Sequence, residues 1–171
     1  RFAPNKGHLI TLKAFREIIK KVPNARLWLV GGRSSDPEYI KYFMKVKLLA
    51  NEINKNAGKE VVKIIINAPS VAPYYELADI CVAPYKFHYP SGFFPAKVVR
   101  YMLAGKAIIA TDLPEIREMF RGKQAGILVP QGDARALAEA IDYLAENNED
   151  RLRLGLTAKK IAKNNYLTKH H

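Results

Sequence analysis

The chain changes its hydrophobic period repeatedly: short apolar runs of strand character alternate with amphipathic segments of helical spacing, the pattern of a parallel sheet covered by helices. Leu12, Phe15, Ile19 and Val22 recur at helical intervals, so residues 8 to 22 read as a helix that stops before Pro23. A-R-L-W-L-V-G-G reads as a buried strand ending in a glycine pair. A helix from about residue 37 to 58, capped by Asp36, follows. Residues 61 to 66, 80 to 83, 106 to 111 and 126 to 130 are the next strand candidates, separated by helices at 71 to 78, 95 to 104 and 114 to 120. Asp133 caps a helix with Leu137, Ile141 and Leu144 on one face, and a last helix starts near residue 150. The fold class expected is therefore α/β, a Rossmann-like, doubly wound parallel sheet. Such a sheet has one more strand than the five visible here. The expectation is a single domain over residues 1 to 169 whose first strand is cut away before Arg1, with residues 170 to 171 the remnant of a tag.

Composition narrows the function. With 171 residues and 49% hydrophobic content the chain can bury a real core. Its apolar runs are too short to cross a bilayer and no signal peptide opens it, so a soluble, cytoplasmic chain is expected. The net charge of +12 comes from lysines and arginines scattered over helix faces. No basic-aromatic signature accompanies them, so no nucleic acid partner is expected, while peripheral attachment to an anionic membrane stays open. The single Cys81 lies in the apolar run D-I-C-V-A-P and reads as a packing residue.

Two segments carry chemistry. In R-F-A-P-N-K-G, Arg1 and Lys6 flank the entry to the first helix and could share one pyrophosphate, Arg1 as a fork and Lys6 as a point charge; two exposed basic residues in a basic protein is the alternative. In S-G-F-F-P-A-K, Gly92 permits unusual backbone angles and Pro95 suits a first helical position, leaving the N–H groups of Phe93, Phe94, Ala96 and Lys97 to face an anion or simply to cap their own helix. His88 stands in the same loop without a metal-ligand partner at useful spacing.

The order and intervals of these pieces resemble a known family. Arg, four residues, Lys-Gly, then P-N-A-R-L-W-L-V-G-G, Y-x-x-A-D-I-x-V-A-P-Y, G-F-x-P-x-K-V-x-x-Y-M-x-A-G-K-x-I-I-A-T-D-L-P-E-I-R-E and G-I-L-V are similar to the C-terminal, nucleotide-sugar-binding half of GT-B glycosyltransferases of the family 4 type. The resemblance implies transfer of a sugar from a nucleotide-diphosphate sugar, with retention of configuration, to a glycan or lipid-linked acceptor bound by an N-terminal domain. The sugar donor is then a substrate, with no cofactor and no metal. Arg1 and Lys6 would act catalytically by holding the diphosphate and offsetting charge on the leaving group. Gly92, Phe93, Phe94 and Pro95 would face the sugar and phosphate, Asn67 and Ala68 the base, and Thr111 the same rim, where a structural role is the alternative.

The chain also departs from the family. Two glutamates separated by seven residues are usual there, and Gly92 and Arg100 stand at the matching positions. An arginine cannot accept hydrogen bonds from ribose hydroxyls. Either Arg100 meets a phosphate, or the chain is a non-catalytic module of the same fold used for protein or membrane contact. Glu115 and Glu118 follow in the next loop, where a helix-start or ion-pair role competes with catalysis. A dinucleotide oxidoreductase is disfavoured because no G-x-G-x-x-G follows a strand.

Overall fold

The computed structural model describes residues 1 to 86 and 93 to 167. Strand β1 (Leu27–Gly31) pairs in parallel with β2 (Val62–Ile66), with Leu29 opposite Ile64. Strands β3 (Ile80–Ala83), β4 (Ala107–Thr111) and β5 (Ile127–Val129) form a second parallel group in that order. Every strand-to-strand connection carries a helix: α1 (His8–Lys21) precedes β1, α2 (Pro37–Ala57) links β1 to β2, and α3 (Ala72–Leu77) leads to β3. Helices α4 (Ala96–Leu103) and α5 (Pro114–Phe120) flank β4; α6 (Ala134–Glu146) and α7 (Asn148–Ala162) follow β5, and a last helical turn spans Lys163–Leu167. The doubly wound α/β architecture expected from the alternation of periods is present.

Burial explains the pattern. All five residues of β4 are buried, and its faces divide as a strand requires. Ile108 and Ala110 enter a cluster with Val98, Met102, Ile116 and Phe120, whereas Ala107 and Ile109 enter another with Leu137, Leu144 and Leu154. A strand covered on both sides needs the continuous apolar run A-I-I-A-T rather than an alternating one. Truncating Ile108 or Ile109 to Ala would cost about 2–5 kcal/mol. A third cluster joins Phe15 and Ile18 of α1 to Phe43, Val46 and Ile53 of α2 under Leu29. Packing of α1 on α6, through the shared Ala138 and Ile141, ties the two strand groups together.

Caps set the helix ends. Asp36 accepts from the Glu38 N–H at 2.8 Å and Asp133 from the Ala136 N–H at 2.8 Å, both where the sequence places them. Helix α7 starts at Asn148, and it crosses the start of β4 so closely that a Cβ on Gly155 would lie 2.2 Å from the Gly105 carbonyl oxygen. Cys81 is buried, and burial pushes its thiol up to about 12, so it packs rather than reacts. Among the described residues, no helix is long and apolar enough to cross a membrane.

Candidate anion site at the carboxyl ends of the strands

Residues 1 to 7 lie across the carboxyl ends of β1 and β3. The Phe2 N–H donates to the Gly32 carbonyl at 3.0 Å, just past β1. The Lys86 N–H donates to the Asn5 carbonyl at 3.1 Å, just past β3. Between them Pro4–Lys6 makes a single tight turn, and Gly7 follows at φ 76. A Cβ on Gly7 would sit 1.9 Å from the Pro84 carbonyl oxygen, so both the left-handed backbone and the close approach demand glycine. Helix α1 starts immediately afterwards without a side-chain cap. Its N-terminal dipole adds positive potential at the end of this segment.

Three cations converge on this segment. The Nζ of Lys6 lies 5.5 Å from the centre of the buried Tyr85 ring, and the Nζ of Lys97, from the first turn of α4, lies 5.2 Å from the same centre. Burial lowers the Lys97 ammonium to about 8, and the neighbouring Lys6 adds to the shift. Lys6 is lowered in the same direction, by burial and then by the Arg1 guanidinium. His8 falls to about 3 through burial and then through Lys97 and its other cationic neighbours, against a raising contribution from the Ala3 carbonyl, so its imidazole is neutral at physiological pH. Among the described residues, no ion pair joins Arg1, Lys6, Lys97 or Arg100 to a carboxylate. Lys6 and Lys97 are half-buried and Arg1 is exposed; partly desolvated cations gathered without counter-charge are costly to a fold, and an anion relieves that cost.

The other residues singled out by sequence fall at varying distance from this centre. Asn67, at φ 53, donates its N–H to the Gly31 carbonyl at 3.0 Å, which places it and Ala68 on the β1 flank of the same rim. On the β3 flank, the Phe93 ring meets Tyr85 edge-on at 5.3 Å, while Phe94 is 56% exposed with its ring 6.2 Å from that of Tyr166. Pro95 is buried as the cap of α4 instead of opening the helix. The Ala96 N–H, read as facing an anion or capping its own helix, is donated to the Phe94 carbonyl at 2.9 Å because the chain turns tightly there. Arg100 is exposed one turn beyond Lys97 on α4. Gly92 and His88 lie outside the described residues.

Thr111 has a different place. It is buried, and its hydroxyl donates to the Tyr85 carbonyl at 2.7 Å, which holds the ring carrying both lysines against the end of β4. That is the structural alternative named for it above, and it makes Thr111 a support for the site. Sequence reasoning missed the Lys97 side chain and Tyr85. Lys97 shares a helix face with Arg100 at i, i+3, but only the fold reveals that this face meets the segment from Arg1 to Gly7. A separate concavity of about 380 Å³, lined by Arg121, Lys123, Lys160 and Asn165 among others, lies between the end of α5 and α7 and includes none of these groups.

Known proteins resemble this chain over most of its length. The family model described as "Glycosyl transferases group 1" matches residues 1–147. A phosphatidyl-myo-inositol mannosyltransferase of Mycolicibacterium smegmatis is 28% identical over 156 residues, covering 91% of this chain and 36% of its own length. The chain thus spans little more than a third of that relative. A glycosyltransferase from Rickettsia africae superposes with a TM-score of 0.82 at 22% identity, over 97% of this chain and 41% of that one. Anabaena Alr3699/HepE in complex with UDP superposes at 0.81 and 21% identity, over 96% of this chain and 42% of that one. These likenesses agree on the fold.

Proposed function

The chain belongs to the glycosyl transferases group 1 family, and on that premise we propose that it is the unit of a sugar transferase that binds a nucleotide-diphosphate sugar through Arg1, Lys6 and Lys97. The observation that carries this reading is the convergence of Lys6 and Lys97 on the Tyr85 ring, with Arg1 beside them and no carboxylate partner among the described residues. A diphosphate supplies the counter-charge that the fold leaves out. As the sugar leaves the diphosphate, negative charge grows on the leaving oxygen, and fixed cations there stabilise the transition state more than the ground state. Asn67 and Ala68 would edge the base, and Gly92 to Pro95 the sugar and phosphate. UDP in the Anabaena protein of the same fold supports a uridine or related nucleotide. Retention of configuration, and a glycan or lipid-linked acceptor presented by a second domain, belong to this proposal.

Arg100 shapes the details. An exposed guanidinium one helical turn beyond Lys97 favours phosphate over ribose, so the nucleotide is held here mainly through its diphosphate. The same residue, with Gly92, supports a second reading in which the chain binds a nucleotide or another anion without catalysing transfer. Isothermal calorimetry with UDP and GDP tests the shared step. Lys6→Ala should weaken binding by about 1.5–3 kcal/mol, as for a hydrogen bond to a charged group. Lys63→Ala, an exposed lysine on β2, should leave it unchanged. Equal affinity in wild type and Lys6→Ala would remove Lys6 from the site, and with it this proposal.

A further inference from the structure

Helix α2 buries Tyr42, Phe43, Val46, Ala50 and Ile53 and turns an unusual face outward. Ile40, Met44 and Leu48, at i, i+4 and i+8, form a ridge along that face and are 43%, 48% and 67% exposed. At 3.6 residues per turn, Lys41 and Lys45 fall on one side of the ridge, Lys47 on the other, and Lys55 continues its line. All four lysines are exposed, and none joins an ion pair among the described residues. Lys47 reaches back over the Phe43 ring at 5.9 Å, so its stem lies along the helix. Glu38 and Glu52 are the only acidic residues of the helix.

We propose that this face of α2 docks on an anionic lipid bilayer, with Ile40, Met44 and Leu48 entering the headgroup boundary and the flanking lysines meeting acidic headgroups. The shape favours a bilayer over a protein partner: the apolar feature is a ridge of three side chains on one helix, against the roughly 20–30 residues a side of a stable protein interface. A ridge needs only shallow insertion to dock on a membrane surface. The charge pattern is complementary to acidic lipid, and the chain's net +12 draws it toward such a surface from a distance. Helix α7 shows the contrast: it exposes Leu152 and Leu156, but Arg153 beside them is paired with Asp150 at 3.2 Å.

Vesicle co-sedimentation of the whole chain, without any nucleotide, tests this independently of the transferase reading. The chain should bind phosphatidylcholine vesicles containing phosphatidylglycerol and not pure phosphatidylcholine vesicles. Lys41→Gln, Lys45→Gln and Lys47→Gln together should weaken binding about 100-fold. The same loss of charge at the end of α7 and just past it, Lys159→Gln, Lys160→Gln and Lys163→Gln, should weaken it only a few-fold, on the order of 3 to 5. Met44→Ser with Leu48→Ser should weaken it while leaving far-UV circular dichroism unchanged, since both side chains are exposed. Equal losses in the two triple variants would mean diffuse attraction with no docking face. No binding by the wild type, or full binding by the Met44→Ser, Leu48→Ser variant, would equally overturn the proposal.

Discussion

Replacing Lys97 by methionine should stabilise the fold and damage ligand binding at the same time. Its ammonium is pushed down to about 8, chiefly by burial, from the 10.4 or so of an unfolded lysine. The sign follows from proton counting. Between the two values the unfolded chain holds the proton more tightly than the folded one, so stability rises with pH across that window and is lowest below it. At neutral pH the shift corresponds to about 3 kcal/mol of destabilisation, at 1.36 kcal/mol per pH unit. Methionine keeps the stem and removes the charge, so Lys97→Met should gain about 3 kcal/mol near pH 7, or roughly 6–12 °C in Tm for a chain of this size. The gain should shrink to under about 1 kcal/mol near pH 10, where the native lysine is already neutral. Urea denaturation of both proteins across this range measures the difference. A variant that is less stable than the wild type, or a difference that does not change with pH, would mean that Lys97 is solvated or paired and that the site is not under electrostatic strain.

Three further outcomes follow from the same geometry. Gly7→Ala places a methyl group against the Pro84 carbonyl on a left-handed backbone and should cost on the order of 2–6 kcal/mol in denaturant titrations; a loss below about 1 kcal/mol would mean that the turn is not held as described. Thr111→Val leaves the buried Tyr85 carbonyl without the hydroxyl that it accepts and should cost about 1–3 kcal/mol. It should also weaken UDP binding through the displaced ring, and unchanged binding would confine Thr111 to stability. Arg100→Glu should weaken nucleoside diphosphate binding, because a carboxylate beside a diphosphate is repulsive at short range; tighter binding that depends on the ribose hydroxyls would instead identify a lost carboxylate.

The sequence was most legible where one physical cause acts locally. Short apolar runs set against period 3.6 located all five strands of the described residues, and Asp36 and Asp133 were recognisable as caps because the helix that needs them follows at once. The site was legible only in part. Arg1 and Lys6 stood out beside Gly7, but the reason for Gly7 is the Pro84 carbonyl, some eighty residues away in sequence. Lys97 was read for its backbone N–H alone and not for its ammonium, because nothing nearby in sequence marks the meeting of α4 with the segment from Arg1 to Gly7. The Ala96 N–H and the Thr111 hydroxyl each carried an outward and an inward reading in the sequence, and the fold uses both inward, on the Phe94 and Tyr85 carbonyls. Such hydrogen bonds depend on loop conformations and tertiary contacts that propensities do not encode.

We propose that Lys97 and Lys6 form one anion site for a nucleotide diphosphate. It is tested most directly by calorimetric titration of UDP from about pH 7.5 to about pH 10, in two buffers of different ionisation enthalpy, with the wild type and Lys97→Met. An anion bound beside Lys97 raises its pKa from about 8, so binding should take up protons above that pH. Affinity should then fall by up to about tenfold per pH unit, and Lys97→Met should bind more weakly with less proton uptake. Affinity independent of pH, with the same proton balance in wild type and Lys97→Met, would contradict the account.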